Sequence, residues 1–170
     1  ATIPQNFYDE SIRVPCVWRM PGKSAAGQVN RSWVNHCDQF ETILDLASVI
    51  RKRDVESNPG TSLLPTLLGK TNETLDIAIC EYGNARMIRT SKLKVIKRFG
   101  RGLLDEAYDL INDPRETTNV IENVRNSSDY TAALTSLTNH FNKFRFAGLE
   151  GFTGSIPKHN GGEHARLCGG

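Results

Sequence analysis

Apolar positions in the first part of the chain follow two different spacings. Residues 13–19 form a short apolar run that ends at the turn dipeptide Pro21-Gly22, which predicts a buried strand followed by a loop. Asp38 as N-cap and Glu41 three residues later fit a capping box, so we predict an amphipathic helix that starts at Asp38. Its apolar positions recur at helical intervals at Phe40, Ile43, Leu44, Ala47 and Ile50.

The second part of the chain has the pattern of strands followed by one helix. Four stretches have the composition of strands: 75–80, 85–90, 94–99 and 106–111. With a turn at Ser91-Lys92, they predict an antiparallel meander. A final helix begins at an N-cap, Ser127 or Ser128, and its apolar stripe consists of Tyr130, Ala133, Leu134, Leu137, Phe141 and Phe144. We expect this helix to cover the meander.

These elements predict an α+β fold in which the first part is incomplete. One strand and one long helix cannot form a sheet, so residues 1–70 are interpreted as the end of an α/β domain whose other strands are missing. Residues 71–147 would form the small antiparallel sheet with its closing helix, and residues 148–170 a Gly-rich tail. The absence of an initiating Met favours an excised piece, and we expect an exposed apolar surface on residues 1–70.

Composition excludes several classes of protein. The 170 residues, 38% hydrophobic and 24% charged, are typical of one globular domain rather than of a disordered, collagen-like or coiled-coil chain. No stretch approaches the roughly 20 apolar residues of a membrane span, and residues 1–6 lack the features of a signal peptide. The net charge of +2 is too small for sequence-independent binding to nucleic acid, so we expect neither nucleic acid nor a membrane as partner.

Two fragments resemble the end of a phosphate-binding loop, but neither has the complete motif. They begin at Gly22 and Gly69, but Val17 and Leu64 stand where the motif requires its first glycine.

A metal site is possible by spacing only in the tail. His159, His164 and Cys168 have ligand-like spacing, but no helix or strand would fix them, so we predict no metal bound by this chain. The four cysteines contain no C-x-x-C pair, which favours free thiols.

A nucleophile with a neighbouring base is also weakly supported. His36, Cys37 and Asp38 are adjacent at a helix start and would not point at one another, so capping by Asp38 is preferred. His140 lies off the apolar stripe of the last helix, and we expect it to be solvated.

A run of basic residues without any acidic one lies on the predicted hairpin: Arg86, Arg89, Lys92, Lys94, Lys97, Arg98 and Arg101. It could bind an anionic ligand, but a solvated face of a half-buried sheet is preferred for most of its members. Arg86 and Arg89, near Glu81 and Tyr82, are the exceptions. No complete set of catalytic side chains is present.

Three stretches together resemble the C-terminal portion of the sulfatase family, within the alkaline-phosphatase-like superfamily. Residues 7–22 (FYDESIRVPCVWRMPG) are similar to the family's Y-E-E-S-x-R-V-P segment, and residues 36–49 (HCDQFETILDLASV) to H-x-D-x-x-P-T-L-L-D-L-A-G. The third stretch, residues 81–119, contains EYG, RMIRT, KVI and AYDL-INDPRETTN, similar to E-Y-G, R-M-I-R-T, Y-K-L-I and E-L-Y-D-L-x-x-D-P-x-E-x-x-N.

The resemblance implies a hydrolase of sulfate esters. In such enzymes a formylglycine, made from a Cys or Ser in a C-x-P-x-R-like motif, attacks sulfur, and calcium held by Asp and Asn neutralises the sulfate. Neither Cys16 nor Cys37 has the motif's following residues, so the nucleophile and the calcium site would lie in a missing N-terminal portion. A periplasmic, secreted or lysosomal location is favoured by the resemblance, and the sequence leaves the compartment open.

The chain departs from the family at three positions. Pro4 stands where a sulfate-binding Lys is usual, Glu41 where Pro is usual, and Ser48 where Gly is usual. The change at Pro4 removes a cation worth about 2–4 kcal/mol at an anionic transition state, so a whole enzyme with this sequence could be weak or inactive.

The resemblance suggests roles for six residues. Arg13 and Asp38 would be structural, and Glu81, Tyr82, Arg86 and Arg89 would contact a sulfated small molecule or glycan outside the reaction centre. Two alternatives stay open. One is a phosphodiesterase or phosphonate hydrolase of the same superfamily, and the other is a non-catalytic module that binds sulfated glycans or a partner chain.

Overall fold

The protein has an α+β fold with a four-stranded antiparallel sheet, as predicted. The computed structural model describes residues 6–22, 27–49, 59–71, 76–99 and 102–143. The elements in chain order are α1 (Asp9–Ile12), α2 (His36–Leu46), α3 (Leu64–Leu67), β1 (Ala78–Tyr82), β2 (Ala85–Arg89), β3 (Leu93–Arg98), β4 (Glu106–Asp109), α4 (Ile121–Val124) and α5 (Ser128–Lys143). None of the helices in the described ranges is long and apolar enough to cross a membrane.

The sheet is a simple meander in the order β1-β2-β3-β4. Gly83, at a φ of 56°, forms the β1–β2 turn, where glycine meets no Cβ penalty. The next turn is closed by Thr90, whose hydroxyl accepts hydrogen bonds from the backbone N–H groups of Lys92 (3.2 Å) and Leu93 (2.9 Å). The predicted turn at Ser91-Lys92 is therefore confirmed.

On each edge strand of the sheet, one backbone N–H group has an asparagine side chain as its acceptor. The Ile79 N–H of β1 donates to Asn35 Oδ1 (3.3 Å), and the Ala107 N–H of β4 donates to Asn119 Oδ1 (3.0 Å). Edge N–H groups that already have acceptors do not template pairing with another chain.

The two faces of the sheet carry separate cores. On one face, α4 and α5 cover a cluster of Ile88, Leu93, Val95, Ala107, Ile121, Tyr130, Ala133, Leu137 and Phe141. On the other face, Phe7 from the N-terminal segment packs with Ala85, Met87, Ile96, Tyr108 and Leu110. Residues 7–12 therefore lie on the sheet, although they are far from it in sequence.

Helix α5 has the predicted start and the predicted buried stripe. The Ser127 hydroxyl accepts the Tyr130 N–H (3.2 Å), and Tyr130, Ala133, Leu137 and Phe141 are buried, with Leu134 half-buried. Phe144 and the tail, including His159, His164 and Cys168, lie outside the described residues.

The prediction of a strand at residues 13–19 is wrong. These residues have no regular structure, and Val14 and Val17 are 56% and 89% exposed. A strand needs a neighbour with which to pair. The four strands of the described part all pair with one another in the antiparallel sheet β1-β2-β3-β4.

Helix α2 exists, but its start and its buried side differ from the prediction. Asn35 is the N-cap and Asp38 occupies the third helical position, where its carboxylate accepts the Asn35 N–H at 2.7 Å. Asp38, Glu41 and Thr42 are buried against the loop before α3, while Phe40 and Ile43 are exposed. Phe40, Ile43 and Ala47 of the predicted stripe therefore face outward, Leu44 is half-buried, and Ile50 lies outside the described residues.

The C-terminal end of α2 is a turn that favours glycine at position 48, where this chain has serine. The Val49 N–H donates to Leu44 O and the Ser48 N–H to Asp45 O, both at 3.0 Å, which is the Schellman pattern. Ser48 has a φ of 54°, a left-handed conformation that glycine adopts without strain.

Candidate functional site

The basic run of the hairpin is neutralised by acidic residues from elsewhere in the chain. All six of its described members form ion pairs: Arg86 with Glu81, Arg89 with Asp9, Lys92 with Asp129, Lys94 with Asp9 and Glu116, Lys97 with Asp105, and Arg98 with Glu106. Arg101 lies outside the described residues. The expectation of a solvated basic face is wrong for most of them, because only Lys92 is strongly exposed.

Four of these charged residues form one cluster on the face that carries the N-terminal segment. We call Asp9, Arg89, Lys94 and Glu116 the Asp9 cluster. Arg89 donates to both Asp9 oxygens, from Nε to Oδ1 (3.1 Å) and from Nη2 to Oδ2 (3.0 Å). The Lys94 ammonium group, fully buried, lies 2.7 Å from Asp9 Oδ1 and also contacts Glu116. Two cations and two anions therefore balance in a place that water hardly reaches.

Backbone groups of the N-terminal segment take part in the same contacts. Lys94 Nζ donates to Phe7 O (2.7 Å), and the Asp9 N–H donates to Glu116 Oε2 (2.9 Å). Burial raises the pKa of Asp9, but hydrogen bonds from Arg89 and Lys94 outweigh it and hold that pKa below its usual value. Asp9 is therefore a carboxylate in the folded protein.

The residues of the cluster come from stretches that carry the family resemblance. Asp9 belongs to the segment that begins at Tyr8, Arg89 to the RMIRT stretch, and Glu116 to the D-P-x-E stretch. Asn119 from the last stretch closes the edge of β4. These motif residues hold the fold together, and sequence alone gave no sign that they meet.

Arg86 is held inside the opposite face of the sheet. It pairs with Glu81 at 2.8 Å, donates to the carbonyl groups of Gly83 and Ala85 at 3.0 Å each, and lies 5.1 Å from the ring centroid of Phe141. Burial lowers the pKa of Arg86 and raises that of Glu81, with their mutual attraction opposing both effects.

The four predicted substrate contacts thus have different surroundings. Arg86 and Arg89 make ion pairs within the fold, whereas Tyr82 is 59% exposed at the end of β1 beside the partly exposed Glu81. Contact with a substrate stays a prediction for all four. The side chain of Arg13 is exposed, and only its backbone N–H bonds to Asp9 O, so its anchoring role also stays a prediction.

Asp38 connects α2 to the loop that precedes α3. Its carboxylate accepts the Thr61 N–H (2.8 Å) as well as that of Asn35. Burial raises the pKa of Asp38, and these hydrogen bonds oppose the rise. The prediction that Asp38 is the N-cap missed Asn35, although the spacing Asn35-x-x-Asp38 is itself a capping-box signal.

The remaining titratable candidates are not arranged for catalysis. Burial, with the nearby Asp38 charge, raises the pKa of Cys37 to about 11, so its thiol is protonated and a poor nucleophile. His140 is half-buried beside Phe141 rather than solvated, and burial lowers its pKa. Within the described ranges, no three His, Cys, Asp or Glu residues are grouped so that they could hold a metal ion.

Solved structures show which known fold this chain shares. A protein in complex with its substrate D-glucosamine-2-N,6-O-disulfate has 24% identity, a TM-score of 0.52 and covers 64% of this chain and 24% of its own. The phosphonate monoester hydrolase of Agrobacterium radiobacter has 22% identity, a TM-score of 0.53 and coverage of 63% and 24%. A protein from work on the metabolism of multiple glycosaminoglycans by Bacteroides thetaiotaomicron has 17% identity, a TM-score of 0.60 and coverage of 75% and 30%.

At these identities the matches show the fold alone, that of the C-terminal parts of sulfatases and related alkaline-phosphatase-like hydrolases. The chain spans about a quarter of the length of the first structures it matches. The family described as "N-sulphoglucosamine sulphohydrolase, C-terminal" matches residues 5–145, and the chain belongs to this family. No curated protein matched the chain.

Proposed function

We propose that this chain is the C-terminal part of a sulfatase that hydrolyses the sulfate esters or N-sulfate groups of amino sugars. The observation that carries the proposal is the family match over residues 5–145. The substrate class follows from the family's description and from the related structure that holds a disulfated glucosamine.

The nucleophile and the calcium site are assigned to a portion of the protein that precedes this chain. In the described ranges no three His, Cys, Asp or Glu side chains are grouped as metal ligands, so these residues do not fit the calcium that the resemblance implies. Its contribution in this proposal is to complete the fold around the reaction centre and to present side chains such as Tyr82 near the substrate.

The exposed apolar residues in the first half of the chain support a contact with this preceding portion of the protein. Large apolar side chains are exposed at Val14, Val17, Val29, Phe40, Ile43 and Val49. Phe40 and Ile43 lie on one side of α2, the side on which a helix normally packs against its domain. The preceding portion of the same polypeptide is the partner we propose for this side, because the match covers only about a quarter of each of these structures.

The test is hydrolysis by the complete gene product that contains this chain, produced together with a formylglycine-generating enzyme. Glucosamine N-sulfate and 4-methylumbelliferyl sulfate are the sulfate probes, and a phosphodiester and a phosphonate monoester are the competing ones. We expect release of sulfate by the complete product and none by residues 1–170 alone. Hydrolysis of the phosphorus esters without release of sulfate would contradict the proposal.

A variant at position 4 tests, in the same assay, whether this position binds the sulfate group. If Pro4 occupies the position of the usual sulfate-binding cation, Pro4→Lys restores about 2–4 kcal/mol at the transition state and raises kcat/KM by roughly 30- to 1,000-fold. Pro4→Met, of similar length without the charge, is the matched control. Equal rates for the two variants would show that this position does not bind the sulfate group.

The non-catalytic alternative has less support. A glycan-binding hairpin needs cations free to meet sulfate groups, and the six described basic residues already have acidic partners. We expect heparin to bind residues 1–170 no better than nonspecifically at physiological salt, as measured by calorimetric titration. Tight binding that Arg86→Ala with Arg89→Ala removes would favour the alternative.

A further inference from the structure

Arg89 joins three segments that are distant in sequence. It lies on β2, its guanidinium group forms two hydrogen bonds with Asp9 of the N-terminal segment, and the same group stacks on Trp33, 4.0 Å from the ring centroid. Trp33 belongs to the segment that leads into α2. Two of the segments that precede the sheet in sequence, the N-terminal segment and the segment that leads into α2, therefore both contact this one side chain.

Only an arginine can make these contacts together. A guanidinium plane can bind a carboxylate with its edge and an aromatic ring with its face, whereas a lysine ammonium group is a compact point charge. The β2–β3 register also sets Arg89 directly opposite Lys94, and two cations in that position repel unless a carboxylate bridges them. Asp9 is that bridge.

Two backbone hydrogen bonds report whether each segment is in place. The Asp9 N–H donates to Glu116 Oε2 (2.9 Å) only while the N-terminal segment lies on the sheet. The Ile79 N–H donates to Asn35 Oδ1 (3.3 Å) only while the start of α2 lies against β1.

We propose that Arg89 is a positioning residue that holds both preceding segments on the sheet. By holding Trp33, it fixes the orientation in which α2 presents Phe40 and Ile43 to the preceding portion of the protein. The identity of that partner rests on the proposed function. The positioning itself is a property of this chain and can be measured without any enzymatic activity.

The test is residue-resolved hydrogen exchange on residues 1–170 with Arg89→Met and Arg89→Lys. In Arg89→Met we expect the amides of Asp9 and Ile79 to exchange at least about tenfold faster, while the amides of β3 keep their protection, because the lost hydrogen bonds are to charged groups. Arg98→Met is the matched control, since Arg98 makes a similar pair on the same face, with Glu106 of the neighbouring strand β4.

Arg89→Lys keeps the charge and preserves the fold if the methionine variant unfolds. We expect it to retain part of the protection of Asp9 but to lose the protection of Ile79, because lysine cannot stack on Trp33. In a Trp18→Phe background, the fluorescence of Trp33 then changes in Arg89→Lys and not in Arg98→Met.

Unchanged exchange at both amides in both Arg89 variants would overturn the proposal, as would equal acceleration in Arg98→Met. Neither result bears on sulfate hydrolysis by the complete gene product. An inactive gene product with the expected exchange pattern would overturn the proposed function and leave the positioning role in place.

Discussion

Replacing Asp9 by asparagine removes one charge from the Asp9 cluster and leaves the size of the side chain unchanged. Lys94 would then keep its contact with Glu116, whereas Arg89, directly opposite Lys94 in the sheet, would lose its carboxylate partner. Because the Lys94 ammonium group is fully buried, water cannot replace the lost carboxylate there.

The cost follows from the burial of the partners. Removing one member of a buried ion pair costs about 3–5 kcal/mol. Asp9 and Arg89 keep 18% and 13% of their side-chain surface exposed, which places the cost of Asp9→Asn at the low end, about 3 kcal/mol. A urea slope of about 1–3 kcal/mol per molar turns this into a lower unfolding midpoint by about 1 M or more.

Equilibrium unfolding in urea, followed by circular dichroism at pH 7, measures this change. Asp129→Asn is the matched control, because Asp129 pairs with Lys92 at 3.6 Å and both side chains are more than half exposed. We expect that control to cost less than about 0.5 kcal/mol. A loss below about 0.5 kcal/mol in Asp9→Asn, or the same loss in both variants, would refute the reasoning.

The loss of stability in Asp9→Asn should also depend on pH. The folded pKa of Asp9 lies below its ordinary value of 3.8, so its stabilising contribution is present above that value and is lost as pH falls through the folded pKa. We therefore expect the stabilities of the wild type and Asp9→Asn to converge as the pH falls below 3.8 and through the folded pKa.

Three further predictions concern single positions. Ser48→Gly removes the cost of a left-handed serine, about 1–2 kcal/mol, but increases the backbone entropy of the unfolded chain. We therefore expect thermal unfolding to show a net gain in stability of about 0.5–1 kcal/mol, and no gain for Ser48→Ala. Gly60→Ala places a Cβ 2.6 Å from the carbonyl carbon of Cys37, and we expect a loss of about 2 kcal/mol or more in the same assay; wild-type stability would contradict the close approach. His140 has a lowered pKa from burial, so stability should fall as pH drops below 6.5, and His140→Gln should flatten that slope; an identical slope would exclude His140 as its source.

The meander and α5 could be predicted because their apolar patterns find their partners within this chain. Ile88, Val95 and Leu137 meet in one core, so the helical repeat of α5 indicates its buried side correctly. The family resemblance could also be recognised from the sequence, because each of its motifs is a short continuous stretch of residues.

Predictions failed where the partner of a pattern lies elsewhere. The stripe of Phe40 and Ile43 predicted the buried side of α2, but both side chains are exposed, and the polar side is buried instead. The Asp9 cluster was missed because its carboxylates, Asp9 and Glu116, are far in sequence from the basic run that they neutralise.

The central claim is that this chain completes a sulfatase whose reaction centre is encoded before it. The sequence of the coding frame immediately upstream of Ala1 tests this claim most directly. The account predicts an open frame that continues into a C-x-P-x-R-like motif with the Asp and Asn residues of a calcium site. A frame that starts at or just before Ala1 would contradict it, and the chain would then have to be explained as a binding module.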